Sequence, residues 1–212
     1  MKLVGIGLFA LTIWASAGGV ASAGIWDEAV NGGGDAGNLI TTGQITNGLG
    51  ALTQINGTLP TKQDADLFQI NITNEAAFTA STVGLTTVDT RLYLFNSSGF
   101  GVTFDDDAGT SAQSTITSQF VTANGLYWLA ISAYPLAPNG TNGGFIWNSN
   151  PYNVERAPDG PGAAYALASW SGGTTATAGS YGISLTGAEY AVPEPATLGL
   201  LALPLVVALR RR

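Results

Sequence analysis

The chain has 212 residues with neither cysteine nor histidine, and its 14 acidic residues outnumber 7 basic ones for a net charge of −7. Those absences exclude disulfide frameworks, the usual zinc sites and every nucleophile that needs a histidine partner. Carboxylate and hydroxyl oxygens remain; they suit calcium, while an acidic surface repels phosphate backbones and predicts no nucleic-acid partner.

At the N-terminus, Lys2 precedes an apolar stretch over 3–14 and then small residues ending in Ala21-Ser22-Ala23. This predicts a secretory signal helix over 1–23, cut by signal peptidase before Gly24. The strongly apolar part is too short for a transmembrane helix. Residues 24–50 are polar and Gly-rich and read as a lead-in arm. Gly32, Gly34 and Gly37 have the G-x-G-x-x-G spacing, but no strand precedes them and no helix follows, so a phosphate cradle is rejected.

From 51 to 190 the chain reads as short alternating runs broken by turns, which predicts a β-sandwich. Phe68, Ile70 and Ile72 share one face of the run 67–72. Runs follow at 91–95, 100–104 and 114–121. Asn124-Gly125 is a two-residue hairpin signal leading into 126–131, apolar on both faces as a central strand should be. Tyr181, Ile183 and Leu185 alternate in the last run. The expected core includes Phe68, Ile70, Leu92, Leu94, Trp128 and Ile131. Residues 134–162 carry five prolines and no strand pattern, which predicts a functional loop or an excursion. Of the charged residues within 24–192, 13 are acidic and only Lys62, Arg91 and Arg156 are basic, a net −10.

The tail has three parts: Val192-Pro193-Glu194-Pro195, an apolar run over 196–209, then Arg210-Arg211-Arg212. The prolines hold the triplet extended, and the arginines stay on the cytoplasmic side of a membrane. As a helix the apolar run would span about 21 Å against roughly 30 Å of hydrocarbon, with Pro204 in its middle. That suits a temporary anchor better than a permanent one. The tail over 192–212 resembles the PEP-CTERM sorting signal of exported Gram-negative proteins. The resemblance implies an exosortase partner that cuts near the Pro-Glu-Pro triplet and passes the body to the cell surface. A plain tail anchor is the alternative.

The body carries a second resemblance. Asp64-Ala65-Asp66-Leu67-Phe68, then Asp89-Thr90-Arg91-Leu92-Tyr93-Leu94-Phe95-Asn96-Ser97-Ser98-Gly99, then Asp105-Asp106-Asp107 and the strand 125–131 occur in the order seen in bacterial pre-peptidase C-terminal domains. That family implies a single jelly-roll-like antiparallel β-sandwich that binds calcium or extracellular polymers. The chain departs from it after Tyr134, and no peptidase is attached.

Asp64, Asp66, Asp89, Asp105, Asp106 and Asp107 are the candidate calcium ligands. Asp64 and Asp66 share a strand face, and a triple-Asp turn can converge on an ion. Ile116 occupies the position where an EF-hand has its bidentate Glu, so this is no EF-hand. Alternatively, Asp64 and Asp89 cap turns and the triplet is solvated. Phe145, Trp147, Tyr152 and Trp170 either stack on sugar rings or fold back over the sandwich edge. The expected function is an exported, non-enzymatic cell-surface or extracellular-matrix protein. The alternative is a calcium-dependent binder of extracellular polysaccharide or protein, and a carboxylate hydrolase is the outsider. Calcium is the one cofactor suggested.

Overall fold

The computed structural model describes residues 24–107, 111–173 and 179–193. The expected signal helix with Ala21 and Ala23, and the tail from Glu194 and Pro195 to Arg210, Arg211 and Arg212, lie outside the described residues. No helix among the described residues is long and apolar enough to cross a membrane. The only helical elements there are two single turns at Glu75–Ala77 and Ser118–Phe120.

Short runs rich in Thr, Ile, Leu and aromatic residues give strands throughout, as their β-propensity dictates. In chain order they are β1 (Gly24–Asp27), β2 (Gln44–Ile45), β3 (Asn47–Gly48), β4 (Leu52–Leu59) and β5 (Ala65–Ile72). Then come β6 (Thr79–Ser81), β7 (Thr90–Asn96), β8 (Gly101–Asp105), β9 (Thr115–Ile116) and β10 (Gly125–Ala133). The last are β11 (Ala137–Gly140), β12 (Leu167–Ser171), β13 (Gly179–Thr186), β14 (Ala188–Tyr190) and β15 (Val192–Pro193).

Two sheets make an all-β sandwich. One runs β1-β4-β13-β6-β9 and the other β14-β5-β10-β7-β8, with β2 sharing the outer edge of β5. Apart from the pairings of β1, β2 and β3, the strands pair antiparallel, and β10 sits between β5 and β7. Leu129 lies opposite Phe68 on one side and Leu94 on the other. Because strand side chains alternate, Phe68, Ile70, Leu92, Leu94, Leu129 and Ile131 point to one face. There they meet Ile55, Tyr181, Ile183 and Leu185 of the other sheet. Leu67, Tyr93, Phe95, Trp128 and Ala130 point to the opposite face. All six expected core residues are buried, but Trp128 belongs to this second cluster.

That second face is not open to water. Residues 134–171 fold back across it, held by the β11–β12 pair, and insert Ile146, Trp147 and Leu167 against Tyr93, Phe95 and Phe104. Trp147 lies 5.5–5.9 Å, centroid to centroid, from the Tyr93, Phe95 and Phe104 rings, and its Nε1–H donates to the Arg156 carbonyl at 3.3 Å. Burying large apolar side chains contributes roughly 1.5–3 kcal/mol each, so this long segment is a structural layer rather than an excursion.

The segment 24–50 is likewise not an arm apart from the sandwich. It supplies β1, β2 and β3, which form the three parallel pairings, with β4, β5 and β15. Trp26 is buried in the main core, and its Nε1–H donates to Gln44 Oε1 at 2.8 Å. These strands are two to four residues long, too short to show a period in the sequence.

Candidate metal centre

The acidic residues expected around one ion separate into two groups. Asp66 lies in β5 on the same face as Phe68 and Ile70, so the strand carries its carboxylate into the interior, where it is fully buried. Tyr181 of β13 donates its hydroxyl to Asp66 Oδ2 at 2.6 Å. Asp66 Oδ1 has no hydrogen-bond partner, and neither has the buried Oδ2 of Asp64.

The residues that meet Asp66 come from the N-terminal segment. Glu28, just after β1, is buried, and its Oε1 accepts from the Thr58 backbone N–H at 2.5 Å and hydroxyl at 3.0 Å. Asp35 approaches from an exposed turn. One carboxylate oxygen each from Glu28, Asp35 and Asp66 lies within 4.8 Å of the other two. The ion pairs found among the described residues, Arg91–Asp106 and Arg156–Asp159, are both elsewhere.

The electrostatic consequence is large. Burial, reinforced by the charges of Glu28, Asp64 and Asp35 and opposed by the Tyr181 hydrogen bond, pushes the Asp66 carboxyl up to about 9. Burial, with Asp35 and Glu28, raises Asp64 to about 6, and burial also raises Glu28. Carboxylates so placed either hold protons or hold a cation. Calcium takes six to eight oxygens, several of them carboxylate, and the converging trio, with the orphaned oxygen of its member Asp66 and that of neighbouring Asp64, suits part of that demand. Glu28, Asp35, Asp64 and Asp66 would hold the ion.

Asp89, Asp106 and Asp107 form the second group, again with oxygens mutually within 4.8 Å. Asp105 belongs to neither. It sits on β8, buried, and its Oδ2 accepts from the Thr115 backbone N–H at 2.7 Å. Burial outweighs that bond and lifts its carboxyl to about 6. Glu28 and Asp35 were not among the expected ligands; their one sequence signal was acidity within a glycine-rich stretch.

The four aromatic candidates do not form an outward row. Trp147 is a core residue for the packing reasons above. Trp170 is half-buried, with its Nε1–H donating to the Asn38 carbonyl at 2.6 Å and its ring edge-on to Tyr93 at 5.4 Å. Phe145 and Tyr152 are exposed. Trp170 also borders a groove of about 490 Å³ lined by Asn38, Gln63, Ser169 and Ser171. Gly24 at the expected cleavage point begins β1. Val192 and Pro193 of the sorting motif form β15, with the Val192 N–H donating to the Thr46 carbonyl at 3.0 Å.

Comparison with protein-family models and with curated proteins finds no match to this chain.

Proposed function

We propose that this is an exported, non-enzymatic cell-surface or matrix protein whose jelly-roll-like body is stabilised by calcium at Glu28, Asp35, Asp64 and Asp66. Signal peptidase releases it before Gly24, the apolar tail holds it briefly in the membrane, and an exosortase processes it at Pro193-Glu194-Pro195. The observation that carries the calcium reading is the buried Asp66 Oδ1, without a partner and beside two further carboxylates. Support for the surface role comes from the two targeting ends and the acid-rich body. An ion at this place would fasten the segment 24–50 to β5, so calcium acts as a clip that sets once the protein reaches a calcium-rich exterior.

Thermal melting of the purified protein in EDTA, calcium, magnesium and sodium tests the clip. At free calcium a hundredfold above Kd, mass action stabilises by about 2.7 kcal/mol, several degrees in Tm for a body of this size. Magnesium, bound by its octahedral water shell, does less. A calcium effect no greater than that of sodium at matched ionic strength rejects the reading. C-terminal peptide mapping of the mature protein tests processing, and recovery of an intact Arg210-Arg211-Arg212 end favours a plain tail anchor. A second reading, polysaccharide binding, has one observation in its favour: the groove beside Trp170, where Asn38, Gln63, Ser169 and Ser171 share the wall with Leu39 and Leu136. Loss of glycan retention in Trp170→Ala would support it.

A further inference from the structure

The described chain ends beside an uncovered apolar face. Along 45–49 exposure alternates: Ile45, Asn47 and Leu49 point outward, while Thr46 and Gly48 are buried. Val192 lies opposite Asn47 in the β3–β15 pair, and residues directly opposite in a ladder share a face. Ile45, Leu49 and Val192 therefore stand together, each 48–56 % exposed. Ile45 in turn lies opposite Gln69 of β5, so this face continues the outer side of the second sheet at an edge that residues 134–171 leave open.

The inner side of the same segment is clamped. The Thr46 hydroxyl donates to the Gln69 carbonyl at 2.7 Å and accepts from the Ala191 N–H at 3.0 Å. Gly48 lies against the Tyr190 ring, where a Cβ would come within 2.6 Å of a ring carbon. The start of the described chain is here as well: the Gly24 N–H donates to the Ala51 carbonyl at 2.8 Å, and Ala51 bridges to Glu189. Single exposed apolar side chains are ordinary on any surface. Three held together where both targeting segments join the body call for an apolar partner.

We infer that Ile45, Leu49 and Val192 form a membrane seat, a face that rests in the lipid headgroup layer while the tail is inserted. Tail insertion, as proposed above, is its premise. Three residues separate Val192 from Ala196, where the apolar run begins, so the two are at most about 14 Å apart. Ile45 and Leu49 flank the partner of Val192 and are carried to the same depth, where apolar side chains enter the boundary between headgroups and acyl chains. Glu189 is exposed in β14 and adds negative charge, so the contact is apolar and needs no anionic lipid. The seat holds the Pro193-Glu194-Pro195 triplet at a fixed height above the bilayer, within reach of a membrane enzyme.

Because the chain has no cysteine, single-cysteine variants Ile45→Cys, Leu49→Cys and Val83→Cys can each carry one bimane label. Val83 is exposed in the turn after β6 of the other sheet and serves as the reference. The test reconstitutes the exported protein, tail intact, into phosphatidylcholine vesicles and quenches the label with aqueous iodide or with brominated lipid. Labels at 45 and 49 are expected to lose most of their iodide quenching and to be quenched by the bromines, with the label at 83 behaving oppositely. Added salt should leave that pattern unchanged. Equal iodide access at all three positions in protein that floats with the vesicles would overturn the seat and leave the anchor standing. Shielding from iodide without quenching by brominated lipid would also overturn it, since a second copy or the tail itself would then cover the face. Protein that does not float with the vesicles would refute the anchor, and the seat with it.

Discussion

Replacing Trp147 by Ala asks whether the segment 134–171 is a structural layer or a mobile strap. The side chain is 4 % exposed and lies among Tyr93, Phe95 and Phe104. An indole buries about 200 Å², worth up to about 5 kcal/mol at roughly 25 cal/mol per Å² against an extended unfolded chain. Measured Trp→Ala costs in cores run about 3–5 kcal/mol, so a loss of about 4 kcal/mol is expected. Trp147→Phe keeps a ring in the cluster but gives up the bond to the Arg156 carbonyl, and is expected to cost about half as much. Tyr152→Ala, on the same segment but exposed, should stay within about 0.5 kcal/mol. Urea unfolding followed by circular dichroism measures all three, with the m value checking that the same surface is exposed each time. A loss below about 1 kcal/mol for Trp147→Ala would refute the second core and return Trp147 to the pool of ligand contacts.

Three other outcomes are expected. In EDTA the raised Asp66 carboxyl means that the folded state holds a proton the unfolded state releases near pH 4, so stability is greatest at low pH and falls as pH rises toward 9. Melting across that range should show a declining Tm that in Asp66→Asn flattens above about pH 6, where Asp64 and Asp105 have lost their protons; a Tm rising with pH would contradict the placement of Asp66. Arg91→Met strands Asp106 in the interior and should cost about 3–5 kcal/mol in urea unfolding, with Asp106→Leu alongside recovering most of it. Gly187 turns the chain from β13 into β14 at φ +68, and a Cβ there would stand 2.6 Å from the Asn74 carbonyl oxygen. Gly187→Ala should therefore lower Tm by more than the few degrees that correspond to about 1 kcal/mol, as calorimetry would show.

The sandwich was legible because β5, β7, β10 and β13 are long enough for alternation to show. The layer over the second face was not, because residues 134–162 hold only the four-residue β11 in otherwise irregular chain, and prolines with scattered aromatics have no period to detect. Trp128 is recognisable in the sequence as core but its side is not, since a strand buried on both faces loses the polar positions that would mark direction. The D-x-D pair pointed to Asp64 and Asp66, yet their neighbours Glu28 and Asp35 arrive through tertiary packing from a stretch that resembles a linker. Contiguity misled for the triplet. Asp105 ends a strand and turns to the Thr115 amide, while Asp106 and Asp107 lie past the strand end, where Asp106 pairs with Arg91.

The closing strands also decide how the body answers mechanical tension. Tyr190 of β14 reaches the Ile25 carbonyl at 3.4 Å, so the start of β1 and the end of the described chain lie side by side. A pull through Pro193 is met first by the Thr46 contacts, its carbonyl at Val192 and its hydroxyl at Ala191. Behind them stand the three-residue ladder of β14 on β5 and the bridge between Glu189 and Ala51. The eight-residue β13, flanked by β4 and β6, lies beyond the Gly187 turn. Tension applied at Pro193 thus frees a short length of chain before the interior is loaded. That gives slack under shear while the sandwich stays shut.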